Sequence, residues 1–160
     1  VYTMAIVLKE LQMLRRTKAL ATDLSPKILD QAIEGSYSGM LMNKYSKTFS
    51  KYILNGKLEC NFNYKDGIAL VKDEFRKHVE FKQHNLVQDE MDQTFDIIFC
   101  RNVMIYFDDE LKQKVLKLFY DSLADDGFFI IGYYDMLPYG SQELFEVYDS
   151  KTRVYKKIKR

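Results

Sequence analysis

The sequence predicts a three-layer α/β domain whose last two strands form an antiparallel hairpin. Helical and strand patterns alternate along most of the chain, which is the order that places helices on the faces of a parallel sheet. Two continuous apolar runs, Phe95–Cys100 and Phe128–Ile131, have the length of strands buried on both faces of such a sheet. The strand patterns Leu144–Tyr148 and Val154–Ile158 flank a short polar turn and predict the closing hairpin.

The start of the chain is predicted to form a helix followed by half of a βαβ unit. Apolar residues recur at helical spacing from the first residue onward. Lys18–Asp23 is a predicted strand, and a helix start follows at once, with Ser25 at the N-cap and Pro26 at the first helical position. Gly35 is the expected end of this helix.

The middle of the chain is predicted to hold a helix over about Met42–Leu54, then a small antiparallel insertion, then a strand at Val79–Lys82. Asn55-Gly56 and Lys65-Asp66-Gly67 are turn sequences of the kind that hairpins use. These turns place the short strands of the insertion between the helix and the strand.

The second half of the chain gives the clearest pattern. A helix is predicted to begin at Asp108 or Asp109 and to run to about Ala124, because its apolar residues fall on one face. Asp125-Asp126-Gly127 is predicted as a turn before the strand that begins at Phe128.

Composition and charge exclude several classes of protein. The chain has 160 residues, of which 47% are hydrophobic and 29% charged, and its formal net charge is +1, so no global basic field points to nucleic acid. No apolar run approaches the ~20 residues that span a bilayer, and the first residues show no signal peptide. Cys100 is expected to be a buried thiol in a reducing, cytoplasmic compartment. Two His residues six positions apart predict no metal site.

Polar residues follow the predicted parallel strands at the ends where open α/β sheets bind ligands. Asp23 could accept hydrogen bonds from both hydroxyls of a ribose, or it could help to cap the helix that begins at Ser25. Asn85 could read an adenine edge while Leu86 packs on the ring, or Asn85 could be a turn residue.

The third strand end carries Arg101-Asn102-Val103, directly after the apolar run. Packing alone does not explain why a charged residue and an amide follow the apolar strand so abruptly. Tyr106 could point its hydroxyl into the same crevice, or it could be a buried tyrosine with one hydrogen bond.

Two segments carry a resemblance to a known family: ATDLSPKILDQAIEGSY at 21–37 and FDIIFCRNVMIYFDDELKQKVLKLFYDSLADDGFFIIG at 95–132. With VEFKQHNL between them, they resemble the catalytic domain of the chemotaxis receptor methyltransferases, the CheR type, over nearly the whole chain. The string IFCRNVMIYFD is far more specific than a generic Rossmann fingerprint. The resemblance implies a class I methyltransferase fold, S-adenosylmethionine (SAM) as methyl donor, and methyl-ester formation on glutamate side chains of chemoreceptors.

The resemblance also implies roles for particular residues. Asp23 would hold the ribose of SAM, and Asn85 with Leu86 would contact the adenosine. Asn102 and Val103 would line the pocket near the methionine part of the donor.

The resemblance implies a catalytic position and a docking element as well. Tyr106 would lie close to the sulfonium and is the predicted catalytic residue. A small β-subdomain inserted at about residues 55–79 would dock on the receptor.

This sequence departs from the family pattern in two places. Family members have a glycine-rich GxSxGEE-type loop, preceded by the first strand of the sheet, just before the segment that starts here at Val1. We therefore expect residues 1–160 to be a partial SAM-dependent methyltransferase domain, a fragment that lacks its central first strand, leaves two strand edges unpaired and binds SAM poorly. The family typically reads GHSE where this chain reads Gly132-Tyr133-Tyr134-Asp135.

The predicted function is SAM-dependent methylation of glutamate carboxylates, with the chemoreceptor cytoplasmic domain as partner and neither nucleic-acid binding nor membrane insertion. The altered segment after the Phe128–Ile131 strand leaves open a CheR-like module that binds receptors or signalling partners without catalysis. A class I methyltransferase for a small molecule or RNA is disfavoured by the IFCRNVMIYFD string, and RNA also by the near-zero net charge.

Overall fold

The computed structural model describes residues 1–49 and 57–159. They fall into two compact units, Val1–His84 and Asn85–Arg160, and each unit has its own sheet structure and core. Both units mix helices and strands, so the predicted α/β class is confirmed.

The first unit contains a two-stranded parallel sheet and a three-stranded antiparallel sheet. Its helices and strands are α1 Tyr2–Glu10, β1 Ala19–Asp23, α2 Pro26–Glu34, β2 Ser36–Ser38, α3 Gly39–Phe49, β3 Phe62–Lys65, β4 Ile68–Val71, α4 Asp73–Arg76 and β5 Val79–Gln83. Strand β1 pairs in parallel with β5, from Ala19 opposite Val79 to Asp23 opposite Gln83. Strand β4 lies between β2 and β3 and is antiparallel to both.

Local sequence signals set several of these boundaries. Pro26 occupies the first turn of α2, and Gly35 ends that helix with a left-handed φ of 65°, as the sequence predicts. Asp66 and Gly67 both have positive φ, 49° and 76°, which is the backbone that a tight β3–β4 hairpin needs. The predicted turn at Lys65-Asp66-Gly67 is therefore confirmed.

The core of the first unit is a cluster of apolar side chains from its helices and strands. Phe75 of α4, a helix that the sequence analysis did not predict, is fully buried there together with Ala69 and Val71 of β4. The other buried members are Tyr2, Ala5, Ile6, Leu14, Met42, Leu58 and Phe62.

The predicted helix over about Met42–Leu54 corresponds to α3, which begins earlier, at Gly39, because it follows β2 directly. Its predicted last residues and the turn at Asn55-Gly56 lie outside the described residues. The antiparallel sheet uses β2, at Ser36–Ser38, in addition to strands within the predicted insertion, so its sequence span is wider than about 55–79. The assignment of this sheet as an inserted subdomain stays a prediction.

The second unit contains one four-stranded mixed sheet with the order β6-β7-β9-β8. Its helices and strands are β6 Phe95–Cys100, α5 Asp109–Asp121, β7 Leu123–Ile131, β8 Phe145–Asp149 and β9 Val154–Lys157. Strands β6 and β7 are parallel, and β8 and β9 form the predicted C-terminal hairpin. Asp108 caps α5 by accepting a hydrogen bond from the Leu111 N–H at 2.9 Å.

The expectation that Phe95–Cys100 is buried on both faces is wrong. Ile98 and Cys100 face the core of the second unit, whereas Ile97 and Phe99, which alternate with them, are about half exposed. The reason is that α5 packs against the Ile98 and Cys100 face of the sheet, and β6 is also the edge strand of that sheet. Among the strands that the structure describes, β6 pairs only with β7, and β1 pairs only with β5.

The expected turn at Asp125-Asp126-Gly127 is also wrong. Strand β7 begins at Leu123 and runs through this segment, and its register against β6 shifts between the Phe95–Leu123 and Ile97–Phe128 pairs. The extra residues form an irregularity within the strand. The two aspartates there make ion pairs with Lys159 at 3.2 Å and Lys156 at 3.4 Å, so charge that suggested a turn is accommodated on an exposed bulge.

The core of the second unit lies between α5 and the sheet. Val115 of α5 and Phe129 of β7 are fully buried, and the Phe119 and Phe129 rings lie 5.1 Å apart between centroids. The parallel pairing of β6 with β7 places their carboxyl ends side by side, with Cys100 opposite Ile131. Of the helices in the described part of the chain, none has the length and apolar character needed to cross a membrane.

Candidate functional site

Asp23 ends β1 and is half-buried. One carboxylate oxygen, Oδ1, accepts a hydrogen bond from the Ser25 N–H at 2.8 Å. Ser25 occupies the N-cap of α2, as predicted, but its side chain makes no capping hydrogen bond. The expectation that the Ser25 hydroxyl caps the helix is therefore wrong, because the Ile28 N–H donates to the Ser25 backbone carbonyl at 3.1 Å instead. The second oxygen of Asp23 has no donor among the described residues.

His84 follows β5, and its N–H donates to the Asp23 carbonyl at 3.1 Å. The imidazole is buried, and neither ring nitrogen has a hydrogen-bond partner in the part of the chain that the structure describes. The same residues contain no group of three or more His, Cys, Asp or Glu that could hold a metal ion.

Asn85 opens the second unit in a turn. Its side-chain oxygen accepts from the Val87 N–H at 3.0 Å, and its own N–H donates to an Asp89 carboxylate oxygen at 2.8 Å. Asn85 is therefore a turn residue, as one of the two alternatives held. Leu86 is half-buried against the core of the second unit. An adenosine contact by Asn85 and Leu86 stays a prediction.

The loop after β6 contains three of the predicted site residues within five positions. Asn102 has a left-handed φ of 62° and an exposed side chain. Val103 is half-buried against the core, and Met104 is fully buried. Tyr106 ends a short 3₁₀ helix, Met104–Tyr106, with its side chain 81% exposed. The alternative of a buried Tyr106 is wrong, because buried Met104 anchors this turn instead.

Asp135 is a residue of this loop's surroundings to which the sequence analysis gave no individual role. It is fully buried, and its carboxylate accepts hydrogen bonds from the backbone N–H groups of Asn102 at 2.5 Å, Gly132 at 2.8 Å and Ile105 at 3.2 Å. The Arg153 guanidinium donates to the Asp135 backbone carbonyl. The signal in the sequence was an acid placed four residues after an apolar strand, in the segment that departs from the family pattern.

Cys100 shows how the Asp135 charge affects its surroundings. Burial, and secondly the negative charge of Asp135, raise the pKa of the Cys100 thiol from 9.0 to about 12. The predicted buried thiol is therefore confirmed, and it stays protonated at neutral pH. Cys60 is also a free thiol, and it is exposed.

The structure thus brings Asn102, Val103 and Tyr106 together on one loop of the second unit, and Asp135 holds that loop. Asp23 lies at the end of a parallel strand in the first unit. All of these residues follow strands, at the ends where α/β proteins bind ligands.

Comparisons with known proteins agree on one family. Residues 1–154 match the family described as "CheR methyltransferase, SAM binding domain". The chain is 32% identical over 160 residues to a "Putative methyltransferase Cher3" of Pseudomonas putida, covering 98% of this chain and 58% of that protein. It is 34% identical over 131 residues to a "Chemotaxis protein methyltransferase" of Listeria innocua (82% and 47%), and 33% identical over 121 residues to one of Escherichia coli (74% and 41%).

The chain spans about half the length of the curated relatives that it matches. The matched part is a SAM-binding domain, so SAM is the cofactor and the fold is that of a class I methyltransferase. On this match and these identities, the chain belongs to the CheR methyltransferase family.

Proposed function

We propose that the protein transfers a methyl group from SAM to glutamate side-chain carboxylates of chemoreceptors, giving glutamate methyl esters. The observation that carries this proposal is the loop after β6 in a chain of the CheR family. There the backbone turns sharply at Asn102 and leaves the Tyr106 side chain 81% exposed at the carboxyl end of a parallel strand.

Each unit carries polar groups at strand ends that we propose contact a part of SAM. The Asp23 oxygen that receives no hydrogen bond from any described residue can accept from a ribose hydroxyl. The Asn85 side-chain oxygen is used by the turn, so its amide NH₂ is the group left to meet an adenine edge. Asn102 and Val103 are proposed to line the methionine part of SAM, and Leu86 to pack beside the adenosine.

When bound, SAM supplies an electrophilic methyl group on a good leaving group. A glutamate side chain is ionised at neutral pH, so the residues of this chain do not need to remove a proton. Their task is to align the carboxylate with the methyl group and to exclude water. Tyr106 is proposed to lie beside the sulfonium, where its hydroxyl can donate a hydrogen bond that orients the attacking carboxylate.

We also propose a receptor contact and a cellular location. The three-stranded antiparallel sheet of the first unit is the proposed docking subdomain within a domain that covers residues 1–160. It presents the exposed side chains of Tyr64 and Ile68 beside the β3–β4 turn. The substrate is the cytoplasmic domain of a chemoreceptor, which places the protein in the cytoplasm.

A methyl-transfer assay tests the proposal. Full-length protein is incubated with tritiated SAM and receptor cytoplasmic fragments, and base-labile label on glutamate is the expected result. Receptor fragments in which the methylated glutamates are replaced by alanine serve as the control. SAM binding without any base-labile label on receptor would contradict the proposed substrate.

The alternative is a CheR-like module that binds receptors or signalling partners and transfers no methyl group. It was raised by Gly132-Tyr133-Tyr134-Asp135. The hydrogen bonds of Asp135 to the loop that carries Tyr106 weigh against degeneration of this segment. Receptor binding in a pull-down, combined with no label in the assay above, would favour the module.

A further inference from the structure

We propose that Asp135 is a positioning residue for the SAM site. Its buried carboxylate holds the Asn102–Tyr106 loop in a conformation that leaves Asn102 and Tyr106 exposed. The inference rests on the proposed function, because it assigns Asp135 to the same donor-binding loop. Asp135 acts through the loop and contacts neither donor nor substrate.

The first support is the set of hydrogen bonds. The Asp135 carboxylate joins two segments that are far apart in sequence: Oδ2 accepts from Asn102 and Gly132, and Oδ1 accepts from Ile105. All three donors are backbone N–H groups. A side chain that binds the main chain at both Asn102 and Ile105 fixes the path of the loop between them.

The second support is the burial of a charge. A carboxylate removed from water is costly unless hydrogen bonds replace its hydration. Asp135 is fully buried and forms no ion pair with any cation in the described ranges. An apolar side chain would fill such a position at less cost, so the geometry points to a need for a fixed acceptor.

The third support is the backbone that the carboxylate stabilises. Asn102 has a left-handed φ of 62°, a conformation that residues other than glycine rarely adopt. Gly132 leaves the space for these groups: a Cβ there would meet the Asn102 side-chain oxygen, and would lie 2.6 Å from Asp135 Oδ2 and 2.8 Å from the Asn102 nitrogen. The unusual turn, the glycine and the carboxylate therefore form one unit.

The consequence of this unit is the orientation of the loop side chains. With the main chain held at both ends, Met104 points into the core, whereas Asn102 and Tyr106 are exposed. Loss of the carboxylate would leave the loop free to adopt other conformations. The free energy needed to order the loop on binding would then lower the affinity for SAM.

The test compares Asp135→Asn with Asp108→Asn in the full-length protein. Both variants exchange a carboxylate that accepts backbone hydrogen bonds for an amide, and Asp108 caps α5 by accepting from the Leu111 N–H. The Kd for SAM is measured by calorimetry at a temperature where circular dichroism shows every variant to be folded. We expect the Kd to rise about tenfold or more for Asp135→Asn, as misplacement of binding groups predicts, and to stay at the wild-type value for Asp108→Asn.

A second readout follows the loop itself by hydrogen exchange. In Asp135→Asn the Asn102 and Ile105 amides should lose protection while the amides of α5 keep theirs. A purely structural role for Asp135 would lower the melting temperature without changing the Kd of the folded protein. An unchanged Kd for folded Asp135→Asn would overturn the inference.

Two further experiments apply where Asp135→Asn does not fold. If Asp135→Asn does not fold, Asp135→Ser decides, because its small hydroxyl admits water but cannot accept all three hydrogen bonds; wild-type affinity in that variant also overturns the inference. If neither variant folds, wild-type exchange decides: unprotected Asn102 and Ile105 amides overturn it. No SAM binding by wild-type protein would instead contradict the proposed function, so the two failures are distinct.

Discussion

The carboxylate of Asp135 accepts a hydrogen bond from the Asn102 N–H at 2.5 Å and joins two loops that are 33 residues apart in sequence. We expect Asp135→Asn to lower the free energy of unfolding by about 2 kcal/mol, because the amide NH₂ faces a buried donor that then lacks an acceptor. Urea denaturation measures this value. Asp108→Asn is the control and should stay within about 0.5 kcal/mol of wild type, since asparagine caps helices as well as aspartate does. Equal stabilities of the two variants would contradict the hydrogen-bond assignment.

A side chain at Gly132 should lower the stability of the protein. In Gly132→Ala the new methyl group would lie 2.6 Å from Asp135 Oδ2 and 2.8 Å from the Asn102 nitrogen, so we expect a loss of about 2 kcal/mol of stability from overpacking. Gly140→Ala is the control: a Cβ there meets no atom within 4 Å, although φ is +86°, and the strain alone should cost about 1 kcal/mol. Thermal unfolding compares the two. A smaller loss for Gly132→Ala than for Gly140→Ala would show that the loop yields easily.

Most elements of the fold could be predicted from the sequence because their signals are local. Pro26 sets the start of α2 and Gly35 sets its end, and Asp66-Gly67 sets the β3–β4 turn. The features that could not be predicted depend on contacts with residues that are distant in sequence. The apolar run Phe95–Cys100 does not show which sheet face is covered, and an acidic bulge in β7 resembles a turn.

The residues of the candidate site also differ in whether their signals in the sequence are local. Asn102 could be singled out as a candidate because it closely follows an apolar strand, and Tyr106 because it lies a few residues further on; their roles at the SAM site stay predictions. Asp135 could not, because its role depends on N–H groups 30 and 33 residues earlier in the chain. The departure from the family pattern drew attention to the segment, and only the structure shows that its acid is the buried acceptor.

Ser25 should be dispensable for stability despite its N-cap position. Its side chain makes no capping hydrogen bond, so we expect Ser25→Ala to change the free energy of unfolding by less than about 0.5 kcal/mol. Asp108→Ala is the comparison, because Asp108 does accept from the Leu111 N–H, and a lost cap typically costs about 1 kcal/mol. Chemical denaturation of both variants decides. A loss at Ser25 as large as that at Asp108 would mean that the hydroxyl caps α2 in solution.

Cys100 should make stability depend on alkaline pH. Burial, and the Asp135 charge, raise the pKa of its thiol from 9.0 to about 12, so between these values the unfolded chain binds fewer protons than the folded one. Stability must then fall as pH rises through this window. We expect the difference in unfolding free energy between wild type and Cys100→Ala to shrink from pH 8.5 to pH 11 by about 1 kcal/mol or more. A constant difference would show that the folded thiol ionises normally.

Tyr106→Phe should separate catalysis from folding and from donor binding. The side chain is 81% exposed, so removal of its hydroxyl should leave the melting temperature and the Kd for SAM unchanged. If the hydroxyl orients the attacking carboxylate, the loss of one hydrogen bond to a charged group should lower the rate of methyl transfer about tenfold or more. Tyr139→Phe, also in the second unit and 93% exposed, is the matched control and should transfer at the wild-type rate. Equal rates for the two variants would leave the Tyr106 hydroxyl without a role in methyl transfer.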